Sequence, residues 1–423
     1  MNDLPMSDLA GLLRSATCPA CGHHIAVPFL TSPPQPLATL AWPESEAEAR
    51  GLPRLTLDFV RCVDCGHVFN AAFDYAAAPY RSKPNRMFNR GGGWSKHLER
   101  VRRLIMARLP KKPVVVEIGH GDGSFLTGLA AARPAGRYIG FDPHGRQDSD
   151  RPNLEFRREL FKADDEFPSV RPDLIVTRHV LEHLTNPLAF IQSLSFAASW
   201  LKRGTIVYLE VPCVDRAIEA GRTVDFYYEH NSQFTTMSFR RMLRRSGARI
   251  DFVGHGYDGE VVFGFVRLEG ERRQAEIAAE ARRYDGGARR AQDVIADQLQ
   301  ALVDQGKKVA VWGGTGKSAA FMHRYGVDAK RFPLVVDSDQ DKVDTFVPGT
   351  GQAIRHATWL KDHPVDVVII PPQWRARDII AEMADRGIHP GTVLIEHKGR
   401  LIDYFRATHP YRPARPHRPA KRA

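Results

Sequence analysis

The sequence predicts an α/β protein: a mainly parallel sheet closed by an antiparallel hairpin, a cysteine-bearing module ahead of it, and a second α/β unit behind. Three observations carry this. Two C-x-x-C pairs, Cys18/Cys21 and Cys62/Cys65, fall in an irregular opening stretch. Apolar runs alternate with helix-like stretches from about Ser95 to Leu268, the last two joined across Gly256–Gly259. The alternation resumes at Lys308 with a glycine-rich turn. A chain of 423 residues is long enough for two or three cores.

Residues 15 to about 90 read as loop-rich. Cys18-Pro-Ala-Cys21-Gly22 and Cys62-Val-Asp-Cys65-Gly66 each form a knuckle, in which the final glycine permits the tight turn. Four thiolates make a closed tetrahedral shell for a structural Zn2+, leaving no position for water. Met1–Arg14 lacks the basic-then-apolar order of a secretory signal, and no apolar run is long enough to cross a bilayer. The chain is therefore expected in the cytoplasm, where paired cysteines hold metals more often than disulfides. His23, His24 and His67 read as bystanders on the loop surface, and Cys213 as a buried strand-end thiol.

An amphipathic helix is expected over Ser95–Leu109. Strands follow at Val114–Ile118, Tyr138–Asp142, Asp173–Arg178 and Ile206–Pro212, then an antiparallel pair at Arg249–His255 and Glu260–Leu268. The first strand runs into Gly119-His120-Gly121-Asp122-Gly123, where the glycines let backbone approach a ligand. That triplet alone is shared with dinucleotide sites. Glu117 is placed to face a ligand ammonium or the loop amides, and Asp142 can accept from two ribose hydroxyls. An acid before Gly-x-Gly, a second acid after the next strand, and the Asp173–His183 stretch resemble class I methyltransferases. The resemblance implies S-adenosylmethionine held by Glu117, Gly119, Gly121, Asp122, Gly123, Asp142 and His179. Asp164 or Asp165 is a further candidate for the adenine.

Past Pro212 the chain reads Asp225-Phe-Tyr227-Tyr228-Glu229-His230. His230, with an ordinary pKa near neutrality, is the candidate general base. Glu229 is expected to fix its tautomer or position a hydroxyl, and Tyr227 to donate to a developing oxyanion.

From Glu269 to about Gln305 the sequence is charged and alanine-rich, with Gly286–Gly287 interrupting it, and reads as a helical linker. Strands are then expected at Lys308–Trp312, Phe332–Asp337, Val365–Ile370 and Thr392–Ile395. Gly316-Lys317-Ser318 is not a P-loop, because Val311 stands where a glycine is required. The turn still offers amides and Lys317 to a diphosphate. Trp312 and Trp374 read as core or pocket-wall residues. The resulting division is 1–94 zinc module, 95–270 methyltransferase core, 271–305 linker, 306–405 Rossmann-like domain and 406–423 basic disordered tail. No internal repeat is visible.

These parts, in this order, resemble the sugar C-methyltransferase family over nearly the whole chain. The likeness continues through Gly313-Gly314-Thr315-Gly316-Lys317, Val336-Asp337, Pro348-Gly349 and Ile369-Ile370-Pro371-Pro372-Gln373-Trp374. It implies C-methylation beside the ketone of a nucleotide-linked deoxysugar, with His230 removing the activated proton and Tyr80 as an early pocket tyrosine. Three positions depart from the pattern. Tyr228 replaces the commoner first histidine of the motif, His120-Gly121 stands where Ser-Asn is usual, and no serine-rich stretch follows Tyr80.

The net charge of +11 comes partly from the tail, whose Arg406, Arg412, Arg415, Arg418, Lys421 and Arg422 face no acidic residue. A zinc-containing RNA methyltransferase would use such charge. It would not explain the second α/β unit, and the rest of the chain lacks a basic stripe with interleaved aromatics, so a small molecule is the expected partner and nucleic acid is not. A non-catalytic scaffold is opposed by the intact Glu117, Gly119, Asp122 and Asp142.

Overall fold

The computed structural model describes residues 11–39, 43–78, 91–201, 204–269 and 272–412. The chain divides into two compact units, Met1–Ile277 and Ala278–Ala423. No helix among the described residues is long and apolar enough to cross a membrane.

The first unit holds two sheets. One is antiparallel and joins Arg14–Ser15, Ile25–Gln35, Leu55–Cys62, Val68–Asn70 and, from much later in the chain, Ser232–Gln233. The sequence reading made this stretch loop-rich. The prolines explain the error: register shifts fall at Pro28/Leu30 and between Ser32 and Gln35, so the ladder bulges around residues that cannot donate to it.

The second sheet has seven strands. From one edge they are Leu154–Arg157, Arg137–Phe141, Val114–Ile118, Leu174–Arg178, Thr205–Pro212, Val261–Leu268 and Arg249–Gly256. The first five are parallel and the last two run antiparallel to their neighbours as a hairpin. Each strand alternates faces. Val116, Ile139, Ile175 and Val207 enter one core, while Val115, Tyr138, Leu174 and Tyr208 enter the other. Burial on both faces is why these strands read as continuous apolar runs. Leu154–Arg157, with only Leu154 and Phe156 to mark it, escaped notice. All five parallel strands deliver their carboxyl ends to one rim, where open α/β sheets bind ligands.

The second unit has a six-stranded sheet: Ile354–His356, Leu334–Asp337, Val309–Trp312, Val367–Ile369, Thr392–His397 and Arg400–Asp403. Its first five strands are parallel, and Arg400–Asp403 closes the edge antiparallel. The stretch read as an interrupted linker is one helix, Arg272–Asp304, running straight through Gly286–Gly287. Its later turns form part of the second core, because Ile295 and Leu299 are buried there. Gln298 exchanges two 2.8 Å hydrogen bonds with the Leu401 backbone and so occupies the open edge of the last strand. The start of the supposedly disordered tail is also fixed, since Arg412 Nε donates to the Tyr404 carbonyl at 2.8 Å. Residues 413–423 lie outside the described residues.

Candidate active site

The turn after Val114–Ile118 brings backbone to the rim of the central sheet. Gly119 has φ 76°, and a Cβ there would meet Val180 Cγ2 at 2.4 Å, so only glycine fits. Asp142, at the end of the neighbouring strand, accepts from Gly121 N at 3.0 Å and from His144 N at 2.8 Å. Asp122 accepts from Ser124 N at 2.9 Å in the turn before the helix Ser124–Ala132, whose N-cap Gly123 has φ 72°. Glu117 lies beneath, 2% exposed, and its Oε2 has no hydrogen-bond partner among the described residues. Burial pushes its pKa up to about 8, against the pull of Arg178. A buried carboxyl at the foot of a glycine cradle whose far side carries a fixed acid suits the ammonium and ribose of S-adenosylmethionine. Asp164 and Asp165 are exposed on the first turn of the helix Ala163–Val170.

The departure at His120 is accommodated by glycine. Its ring packs tilted against Phe156 with centroids 4.6 Å apart, and a Cβ on Gly145 would lie 2.2 Å from its Cε1.

Beside the turn is a buried ionic network that the sequence reading missed. Glu210 meets His97 Nε2 at 2.8 Å, Arg178 Nε at 3.1 Å and His179 Nε2 at 3.2 Å. Burial opposes its ionisation, yet Arg178, His179 and His97 hold its pKa well below the usual carboxylate range. Burial also opposes a charge on His179, but bonds and charges from Glu182 and Glu210 raise it to about 9. The His179 ring, expected to contact cofactor, lies between two carboxylates that favour its charged form. Charged residues inside apolar strands, Arg178 and Glu210, were the available signal.

One short loop links this region to the Tyr227–His230 segment. Val180 packs on Gly119, while His183 Nδ1 lies 2.8 Å from the Glu229 carbonyl oxygen. Tyr227 Oη is 2.8 Å from His230 Nε2, and the His183 and His230 rings stand 4.8 Å apart. Burial and the nearby His183 depress His230 to about 3, and burial raises Tyr227. Glu229 is fully buried, with Oε1 accepting from Thr39 N at 2.6 Å. It anchors the segment, and its carbonyl orients His183. Tyr228 is an anchor too: its hydroxyl accepts from Asp74 N at 2.9 Å and donates to Asp74 O at 3.1 Å. His183 is the site residue that the motif Glu182-His183 contained and that was given no role. Tyr80 lies outside the described residues.

The four cysteines come together as read. Cys18 and Cys65 Sγ are 3.7 Å apart, Cys21 and Cys62 Sγ 3.6 Å, and all four sulfurs lie within 4.8 Å of one another. Zinc–sulfur bonds of about 2.3 Å put tetrahedral sulfurs about 3.8 Å apart, so the donor set fits Zn2+. Each knuckle closes by a 2.9 Å bond, Gly22 N to Cys18 O and Gly66 N to Cys62 O. His67 is not on the surface. It is fully buried, with its ring 4.7 Å from Phe234, and burial depresses its pKa to about 3. Cys213 is buried, and burial raises its thiol to about 11.

In the second unit Gly314 N donates to Asp337 Oδ2 at 3.1 Å, the relation that Gly121 has to Asp142. Lys317 Nζ sits 3.9 Å above the Trp374 ring, and Trp312 is core. A cavity of about 460 Å³ opens beside them, lined by Lys317, Arg324, Lys398, Tyr284 and Trp374 among others.

Comparison with known proteins accords with this geometry. Residues 92–251 match a family described as "Methyltransferase domain", and residues 264–396 match "C-methyltransferase C-terminal domain". Among solved structures, a SAM-dependent methyltransferase from Aquifex aeolicus is similar at 12% identity and TM-score 0.31, over 42% of this chain and 100% of that one. A magnesium protoporphyrin IX methyltransferase from Synechocystis, solved with bound SAH, is similar at 16% identity and TM-score 0.32, over 43% of this chain and 90% of that one. No curated protein matches. With its glycine turn, its two acids and both domain matches, the chain is a class I S-adenosylmethionine-dependent methyltransferase carrying a C-methyltransferase C-terminal domain.

Proposed function

We propose that the enzyme methylates a carbon beside the ketone of a nucleotide-linked deoxysugar, with His230 as the base. The observation that carries the reading is the Tyr227 hydroxyl 2.8 Å from His230 Nε2, in a segment tied through His183 to the loop that packs on Gly119. Bound S-adenosylmethionine supplies an electrophilic sulfonium methyl. The ketone makes the neighbouring C–H acidic enough for an imidazole, which could not deprotonate an unactivated carbon. His230, depressed to about 3, is neutral throughout the neutral range and a weaker proton acceptor than a free imidazole, so the reaction leans on the acidity the ketone confers. The proton passes to His230, the electron pair moves onto the carbonyl oxygen, and the enolate carbon takes the methyl as the C–S bond breaks. Tyr227 holds the imidazole plane, and Glu229, anchored on Thr39, holds the segment. Fixing carbon and methyl in line removes an entropic barrier.

Glu117, Gly119, Gly121, Asp122, Gly123 and Asp142 bind the cofactor in this reading, and His179 supports the loop over it. Cys18, Cys21, Cys62 and Cys65 hold a structural zinc. The second unit, taken by itself, has a cationic, aromatic-walled cavity at Lys317, Arg324, Lys398 and Trp374 whose chemistry suits a diphosphate and a base. The enzyme is assigned to the cytoplasm.

The test supplies methyl-labelled S-adenosylmethionine with nucleotide-linked 4-keto sugars and, separately, total RNA. Label fixed on sugar carbon and lost in His230→Asn is the expected result. Label in RNA overturns the reading and installs the RNA methyltransferase in its place.

A further inference from the structure

We infer that Glu182, His183 and His230 form a second metal site, a two-histidine, one-carboxylate set for a divalent transition ion. One donor atom from each lies within 4.8 Å of the others. Nitrogen and oxygen donors around a zinc-sized ion stand about 3.4 Å apart, so side-chain rotation of roughly an ångström closes the set.

Each ligand already has the partner that a metal centre gives it. His183 Nδ1 lies 2.8 Å from the Glu229 carbonyl oxygen. His230 Nε2 lies 2.8 Å from the Tyr227 hydroxyl. Glu182 is braced 3.4 Å from His179 Nδ1. Ligating histidines typically spend their other ring nitrogen on such an oxygen, which fixes the ring's orientation and tautomer. Glu182 is 1% exposed, and neither carboxylate oxygen has a hydrogen bond among the described residues. With His179 at 3.4 Å on one side, this buried carboxylate keeps acceptor capacity for an ion on the other. His183 and His230 are only partly buried, which gives an ion its way in. Imidazole and carboxylate select Fe2+, Co2+ or Zn2+, whereas the four thiolates form a chemically separate, sulfur-only set.

The site rests on this geometry and not on C-methylation. Its consequence for turnover does rest on the proposed base: an ion on His230 takes the lone pair that would accept the proton. Metal occupancy and methyl transfer then exclude each other.

Cobalt(II) chloride added to the full chain, with zinc already in the cysteine module, provides the test. The expected spectrum has visible d–d bands from one further equivalent, without the near-ultraviolet charge-transfer band that thiolate ligation gives. His183→Gln and Glu182→Gln abolish the bands while S-adenosylhomocysteine binding, followed by calorimetry, shows that the fold survives. Tyr227→Phe, which removes only an orienting hydroxyl, weakens cobalt binding about tenfold. No bands in the parent protein, a charge-transfer band, or bands that persist in folded His183→Gln would each overturn the site. Failure to methylate any sugar would sink the proposed reaction and leave the cobalt result intact.

Discussion

The His183 ring stands 4.8 Å from the His230 ring while its Nδ1 reaches the Glu229 carbonyl at 2.8 Å. A second imidazole this close disfavours a charge on His230. Burial comes first and His183 second among the causes that hold His230 near 3. Removing the neighbour, as in His183→Asn, raises the His230 pKa. The acid limb of the pH–rate profile should therefore move to higher pH. A limb that stays in place, or moves lower, contradicts the assignment of His230 as base.

His67 and His230 are both depressed to about 3, while an unfolded histidine titrates near about 6.5. Below about 6.5 the unfolded chain takes up protons that the folded chain refuses. Their contribution to stability is thus complete above that pH and is lost as pH falls toward about 3. Thermal unfolding between neutral pH and about pH 5 should show a falling Tm. His67→Gln should make the fall shallower.

Glu117, held up to about 8 by burial, is largely protonated at neutral pH before a cation arrives. An ammonium favours the carboxylate, so binding S-adenosylhomocysteine should release a proton at neutral pH. Calorimetry in buffers of different ionisation heat measures this directly. In Glu117→Gln the buffer dependence should vanish and affinity fall about tenfold, roughly 1.4 kcal/mol. Proton uptake in the parent protein would exclude the proposed contact.

Metal analysis of the parent protein and of Cys62→Ser should differ by one zinc per chain, that of the cysteine module. Because the folding of such sites is bound up with the metal, the variant should be destabilised by several kcal/mol. Chelation should also abolish methyl transfer, since Cys62 ends a strand of the sheet that carries Ser232–Gln233 as well.

Lys317→Ala removes a cation from the cavity of the second unit. The expected effect is about tenfold weaker binding of a nucleoside diphosphate, with S-adenosylhomocysteine affinity unchanged. Unchanged affinity would detach the cavity from nucleotide binding.

What was legible in the sequence followed strong local signals. Strands buried on both faces announce themselves as apolar runs, and the glycine turn, the second acid and the cysteine knuckles each demand particular residues at fixed spacing. What was not legible depended on partners far along the chain. The strand at Ile25–Gln35 contains three prolines and looked irregular until paired with Leu55–Cys62. Gly286–Gly287 weakened the helix signal where packing of Ile295 and Leu299 decides the outcome. In the site, Tyr227 and His230 were evident as a motif, but Glu229 changed role once Thr39, some 190 residues away, was seen to hold it. Tyr228, a departure from the family pattern, became intelligible only through Asp74.

The pairing of Ser232–Gln233 with Val68–Asn70 bears on how this enzyme can be recombined. The chain looks like beads that could be swapped at a join near residue 94. A chimera made there would graft the Tyr227–His230 segment onto a foreign front piece and leave Ser232 and Gln233 without the strand they lie against. Productive exchanges among relatives should carry Val68–Asn70 together with residues 225–234, as a single heritable cassette assembled from two distant stretches of gene.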